Sequence, residues 1–110
     1  MSITLDQSRF IKTMKTQAEI GGTEAGGLHR LALSEVDGVA RDWFVEQLTA
    51  AGLSVRIDEF GNVFGRREGT DADASPVLMG SHLDSQPYGG IYDGALGVVA
   101  ALEFVRSLND

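Results

Sequence analysis

The 110-residue chain contains no cysteine, which excludes a disulfide framework, a thiolate zinc cluster and a cysteine nucleophile. Any metal chemistry has to use imidazole and carboxylate. Positive charge is also short: nine Lys and Arg stand against sixteen Asp and Glu, for a net charge of -7. No extended basic face is therefore expected to meet a phosphate backbone or an anionic lipid surface. No run approaches the roughly eighteen apolar residues of a membrane span, and the N-terminus, MSITLDQSRF, has neither a basic n-region nor an apolar h-region. Nucleic acid and membrane are thus not expected as partners, and the expected address is cytoplasmic. Internal repeats and low-complexity tracts are lacking as well.

What is present suits one small domain, since 43% of the residues are hydrophobic, enough for a core. Leu5, Phe10, Ile11 and Met14 recur near helical spacing and predict a helix over roughly 4–20, broken at Gly21-Gly22. The next segment, GGTEAGGLHRLAL, carries two glycine pairs and reads as an irregular loop able to approach another element closely. Ser34 and Asp37 form a shortened capping box ahead of the stripe Val36, Val39, Ala40, Trp43, Phe44 and Leu48, so a helix is expected from about Glu35 to Ala51 with Gly52 as C-cap. Alternation in Leu53 to Glu59, the turn Phe60-Gly61-Asn62 and the run Val63 to Arg66 predict a hairpin. After the polar connection EGTDADAS, a third strand is expected from Pro76 to Ser81. From Gly94, ALGVVAALEFVRSL carries only Glu103 and Arg106 as charges and reads as a helix buried against a sheet.

The chemistry is concentrated in Gly80 to Asp93, GSHLDSQPYGGIYD, between that strand and the last helix. Such strand-to-helix junctions are where α/β sheets usually bind ligands. His82 is the first candidate metal ligand, because one neutral ring nitrogen can bind an ion while the other needs a partner that fixes its tautomer. Asp84, two residues on along an extended segment, points to the same side and can be that partner. Asp93 offers two oxygens able to bridge two ions, and Gly89-Gly90 lets the backbone fold tightly across the site. Each feature has a plain structural reading: a His-x-Asp pair at a strand end is often only hydrogen-bonded, Asp93 can cap the following helix, and paired glycines make turns. Their joint occurrence at one junction favours metal.

At these residues the chain resembles the hydantoinase/carbamoylase family of metal-dependent amidohydrolases, within the wider M20 metallopeptidase group. The resemblance is carried by GSHLDSQPYGGIYDGALGVVAALE together with GGLHRLALS and ARDWFVEQLTAAGLSVRIDEFGNVFGRREGT, in order and spacing. It implies an α/β fold, the N-terminal part of an M20-type, zinc-peptidase-like catalytic domain with helices packed on a mixed sheet and a β-hairpin. Residues 1–110 would be a fragment of that domain, with the lid and dimerisation domain absent. Carried over, His82 is a terminal metal ligand, Asp84 the catalytic-site residue orienting it, and Asp93 the carboxylate bridging two divalent ions such as zinc, manganese, cobalt or nickel. The implied substrates are small N-carbamoyl or ureido compounds, with N-carbamoyl amino acids, N-carbamoyl-β-alanine and allantoate all within the family, and full-length members are homodimers. Gln86-Pro87 leans toward the β-ureidopropionase and carbamoylase branches.

The resemblance also places the general base, the remaining metal ligands and the substrate-binding arginine of the lid outside this chain. Glu35, Glu46, Glu59 and Glu103 are not replacements for the base and are expected to be solvated charges. His29 is expected at the surface of its loop, Arg30 in contact with the loop backbone, Trp43 and Phe44 in the core, and Asn62 in a turn. A chain with two candidate ligands where a catalytic zinc wants about three is expected to be inactive alone, as part of a longer hydrolase of non-peptide C–N bonds. The contrasting reading is a non-catalytic fragment or interaction remnant whose last helix lacks its cover. An M20 aminopeptidase or acylase is the rival within the same chemistry.

Overall fold

A computed structural model describes residues 2–110. The element order is α1 (Gln7–Glu19), α2 (Glu35–Ala50), β1 (Ser54–Ile57), β2 (Val63–Arg66) and α3 (Ala95–Asn109).

Helix α1 starts later than the apolar spacing suggests, because Asp6 accepts from the Arg9 N–H as N-cap and leaves Leu5 outside and exposed. Its buried face is Thr13, Met14 and Gln17, whereas Ile11 is exposed. Helix α2 agrees with expectation almost to the residue. Ser34 accepts from the Asp37 N–H at 3.2 Å, but Asp37 Oδ2 accepts from Leu33 N at 3.1 Å and not from Ser34, so the box closes one residue early. Gly52, at φ 81°, follows the last turn. Val39, on the expected stripe, is exposed.

Strands β1 and β2 pair antiparallel with Ser54 opposite Arg66 and Ile57 opposite Val63. Asp58 organises the turn: its carboxylate accepts from the backbone of Phe60 and Asn62 and from the Asn62 amide, which is turn chemistry for Asn62. Leu48 of α2, Leu53 and Leu102 of α3 form the buried cluster, with Phe44, Val55, Val63 and Val105 packed on it. Each leucine contributes roughly 1.5–3 kcal/mol by leaving water. Phe44 thus joins the core as expected, whereas Trp43 is half-buried and is not among the residues packed on the cluster.

Two expectations need correction. Residues 76–81 form no strand: among the described residues they have no backbone hydrogen-bond partner, and Val77 and Leu78 are 87% and 80% exposed. An apolar run becomes a strand only when another strand satisfies its peptide groups. The expected mixed sheet is accordingly represented here by the two-stranded hairpin alone. Helix α3 reaches the hairpin through Leu102 and Val105, as expected, but it also runs along α1. This explains why Glu103, expected to be solvated, is 2% exposed. Its oxygens accept from Arg9 Nε at 2.8 Å and Nη2 at 2.7 Å, from Asp6 N and from Ser107 Oγ. Donation by Arg9 holds the Glu103 carboxyl below its ordinary value, against the opposing effect of burial. Glu35, Glu46 and Glu59 are exposed as expected.

The result is a thin molecule, 19 Å through its shortest axis. Its 14.5 Å radius of gyration exceeds the roughly 13 Å of a compact chain this long.

Candidate metal centre

The loop 82–93 is held against the body of the chain by backbone pairing that begins in the glycine-rich segment. Leu28, fully buried, exchanges both its peptide bonds with Gly89, at 2.8 and 3.0 Å. Gly27 allows this approach, since a β-carbon there would fall on the Gly89 carbonyl. Arg30 is fully buried too, and its guanidinium bonds the Leu83 carbonyl, as expected of a contact to the loop backbone. Desolvation pushes that guanidinium below its ordinary value, opposed by the field of Asp37 and Asp84. From α1, the Gln17 amide donates to Ile91 O at 3.1 Å. The segment is irregular yet fully anchored.

On this frame the His82 ring lies beside Asp84, its hydrogen bond going to the backbone carbonyl. His82 Nδ1 lies 3.2 Å from Asp84 Oδ1 and 3.0 Å from the Asp84 carbonyl oxygen. Both oxygens can only accept, so Nδ1 carries a proton, and in the neutral ring Nε2 presents its lone pair. Facing Nε2 is Asp93 Oδ2, 3.8 Å away. That separation is too long for a hydrogen bond, and it falls short of the roughly 4.2 Å sum of zinc–nitrogen and zinc–oxygen bonds. One cation could therefore touch both atoms. Asp93 does not cap α3: the N-cap is Gly94, which makes no side-chain bond, and the Asp93 side chain is 74% exposed. The capping role considered for it is not realised, and among the described residues no donor hydrogen-bonds its carboxylate oxygens.

Sequence reasoning missed Gly94. At φ 73° it adopts a backbone that L side chains rarely take, and a β-carbon there would fall on the His82 ring. The signal was a glycine at a helix start where Ser, Thr, Asp or Asn is usual. One turn on, a β-carbon at Gly97 would lie 2.8 Å from Ser81 Cβ. Of the paired glycines, Gly89 is constrained, with Ser85 Cβ 3.1 Å from its virtual β-carbon, and Gly90 faces open space. His29 is exposed, in edge-on contact with Tyr88 at 6.2 Å and not part of the cluster. Among the described residues no three His, Asp or Glu side chains converge to hold an ion. The donor set suits a divalent metal in kind but supplies two ligands.

The family model for Peptidase family M28 matches residues 62–110, from the second hairpin strand through α3. The N-carbamoyl-L-amino-acid amidohydrolase of Rhizobium meliloti is 45% identical over 106 residues, which cover 96% of this chain and 26% of that protein. A hydantoinase/carbamoylase family amidase from Burkholderia vietnamiensis superposes with a TM-score of 0.96 at 51% identity, over 99% of this chain and 26% of its own. Over nearly its whole length the chain is similar to one quarter of the hydantoinase/carbamoylase family proteins. The ureidoglycolate hydrolase of Oryza sativa subsp. japonica is 44% identical over 94% of this chain and 22% of its own length. The chain spans about a quarter of the length of the relatives it matches. Three helices and an antiparallel hairpin correspond to that part of the hydantoinase/carbamoylase structures.

Proposed function

We propose that this sequence supplies part of a dinuclear metal site in an amidohydrolase that cleaves the carbamoyl C–N bond of N-carbamoyl amino acids or N-carbamoyl-β-alanine, acting in the cytoplasm and belonging with the M20 group. The carrying observation is the disposition of His82: Nδ1 is held by Asp84, and Nε2 faces the unbonded Asp93 carboxylate. Two electron-pair donors facing one gap call for a cation between them. His82 and Asp93 would hold the metal, Asp93 sharing itself with a second ion, while Asp84 fixes the His82 tautomer and raises its basicity. When bound, such metals polarise a carbonyl oxygen and lower the pKa of a coordinated water. Residues 1–110 are the N-terminal part of the catalytic domain in this reading, and the full enzyme acts as a homodimer. The amidohydrolase relative in Rhizobium supports the N-carbamoyl substrate class; the alternatives within the class are ureidoglycolate, supported by the rice relative, and allantoate, supported by an allantoate amidohydrolase of Bacillus subtilis.

The test has two arms. Zinc and manganese are titrated into the 110-residue chain and into His82→Ala and Asp93→Ala. Weak binding that both substitutions abolish is expected, and wild-type binding in either variant would sink the ligand assignment. In the second arm the chain replaces the matching quarter of the Rhizobium enzyme, and the hybrid is assayed with N-carbamoyl amino acids, ureidoglycolate, allantoate and acyl or dipeptide substrates. Turnover of N-carbamoyl substrates, lost on His82→Ala, is expected; preference for a dipeptide would move the reading to an aminopeptidase.

A second reading is supported by the exposed Val77 and Leu78 and by the absence, among the described residues, of a third ligand: the chain taken alone is a non-catalytic interaction fragment. Metal-dependent turnover by the isolated chain would overturn it.

A further inference from the structure

Arg30 is a fully buried cation with no carboxylate in ion-pair contact among the described residues. A buried charge is costly unless its donors are satisfied. Here they are satisfied by oxygens from two places. Nη1 donates to Gln17 O at 2.9 Å and Ile20 O at 2.8 Å, and Nη2 to Gln17 Oε1 at 2.8 Å. These carbonyls end α1, whose last turn has no basic residue of its own, so Arg30 supplies the cation that a helix C-terminus favours. Nε donates to Leu83 O at 2.8 Å. The backbone of Arg30 holds Ser85 as well: Arg30 N donates to Ser85 Oγ at 2.9 Å, and Ser85 N to Arg30 O at 2.7 Å.

Both neighbours of Asp84 are thus fastened to one residue, which is itself fastened to the end of α1. Leu83 O belongs to the peptide entering Asp84, and Ser85 N to the peptide leaving it, whose carbonyl accepts from His82 Nδ1. We infer that Arg30 is a positioning residue: it locks the two peptides flanking Asp84 and thereby holds His82 in the tautomer that presents Nε2. The inference deepens the metal-site reading, since that reading says what the ring is presented to.

The test is made first on the metal-free chain, where the ¹⁵N shifts of the His82 ring report its tautomer. Wild type is expected to show one tautomer with Nδ1 protonated. In Arg30→Met the ring should shift to a mixture, while amide shifts of 54–66 in the distant hairpin stay put. An unchanged ring in a folded Arg30→Met chain overturns the inference. If that variant does not fold, Arg30→Lys is read the same way, since an ammonium cannot reproduce the planar fork. A third readout needs no variant: in wild type the Arg30 Nε–H and the Ser85 amide should exchange with solvent in step, and a freely exchanging Nε–H beside a protected Ser85 contradicts the lock. Zinc titration then adds the functional side, with affinity expected to fall about 10–100-fold in Arg30→Met. Failure of wild type to bind zinc would count against the metal reading alone, because the ring and exchange measurements judge Arg30 without metal.

Discussion

Asp93 and Glu103 lie ten residues apart on one stretch of chain, one just before α3 and one in its middle, and they have opposite surroundings. Glu103 is 2% exposed and accepts from four donor atoms, with Arg9 gripping both its oxygens. The Asp93 side chain is 74% exposed and faces His82 Nε2 at 3.8 Å, beyond hydrogen-bond reach. A carboxylate used for stability is surrounded by donors. One available for chemistry is left without them while its neighbours are held still. The same division separates the body of α1, α3 and the hairpin from the loop 82–93, which is rigidly anchored yet presents unsatisfied donor atoms outward.

The comparison breaks most visibly at Arg9. Arg9→Met removes the cation and leaves Glu103 buried, and losing one partner of a buried pair typically costs about 3–5 kcal/mol. Because Arg9 is itself 30% exposed, about 2–4 kcal/mol is expected by urea denaturation. The double variant Arg9→Met, Glu103→Leu should recover most of that, since no orphan charge remains. A double variant as unstable as the single one would show that packing, and not charge, sets the cost.

Acid sharpens the same contrast. The Glu103 pKa is depressed in the folded state from an ordinary 4.5, so the unfolded chain binds the proton first. The stabilisation it contributes is fully present above the ordinary value and is lost as pH falls through the depressed one. Stability of wild type should therefore decline below about pH 5 more steeply than that of the double variant. Parallel pH profiles for the two proteins would contradict the assignment.

Gly94→Ala is the intermediate case, because it strains the backbone at φ 73° and drives a methyl group onto the His82 ring. A cost of about 1–3 kcal/mol is expected, together with displacement of the ring and loss of zinc affinity. Gly90→Ala, with open space around it, serves as the control. Equal effects of the two substitutions would mean that Gly94 does not set the position of His82.

What was legible in the sequence was local. The hairpin and α2 announce themselves through a turn, a cap and a period, all within a few residues, and the His82–Asp84 pair through spacing of two. The missed features depend on distant partners. Glu103 is buried only because Arg9, 94 positions away, reaches it, and no window around Glu103 contains that fact. Residues 76–81 carry a strand composition, but a strand is made by its neighbour, and none pairs with it among the described residues. Gly94 lay between the two cases: its place at a helix start was visible, whereas the ring behind it is brought there by the fold.

The smallest expected effect on stability is the most informative about chemistry. Asp93→Asn keeps the size of a largely exposed side chain that makes no cap, so the unfolding free energy should change by less than about 0.5 kcal/mol. Zinc affinity should nevertheless fall, because an amide oxygen carries no charge and cannot bridge two ions as a carboxylate does. Glu103→Gln should behave in the opposite way, losing stability through weakened Arg9 bonds while leaving metal affinity untouched. Zinc titration and urea denaturation of these two near-isosteric variants form a cross-over test. A carboxylate whose neutralisation moved both readouts would show that site and scaffold are coupled through α3, and not divided between its middle and its N-terminal end.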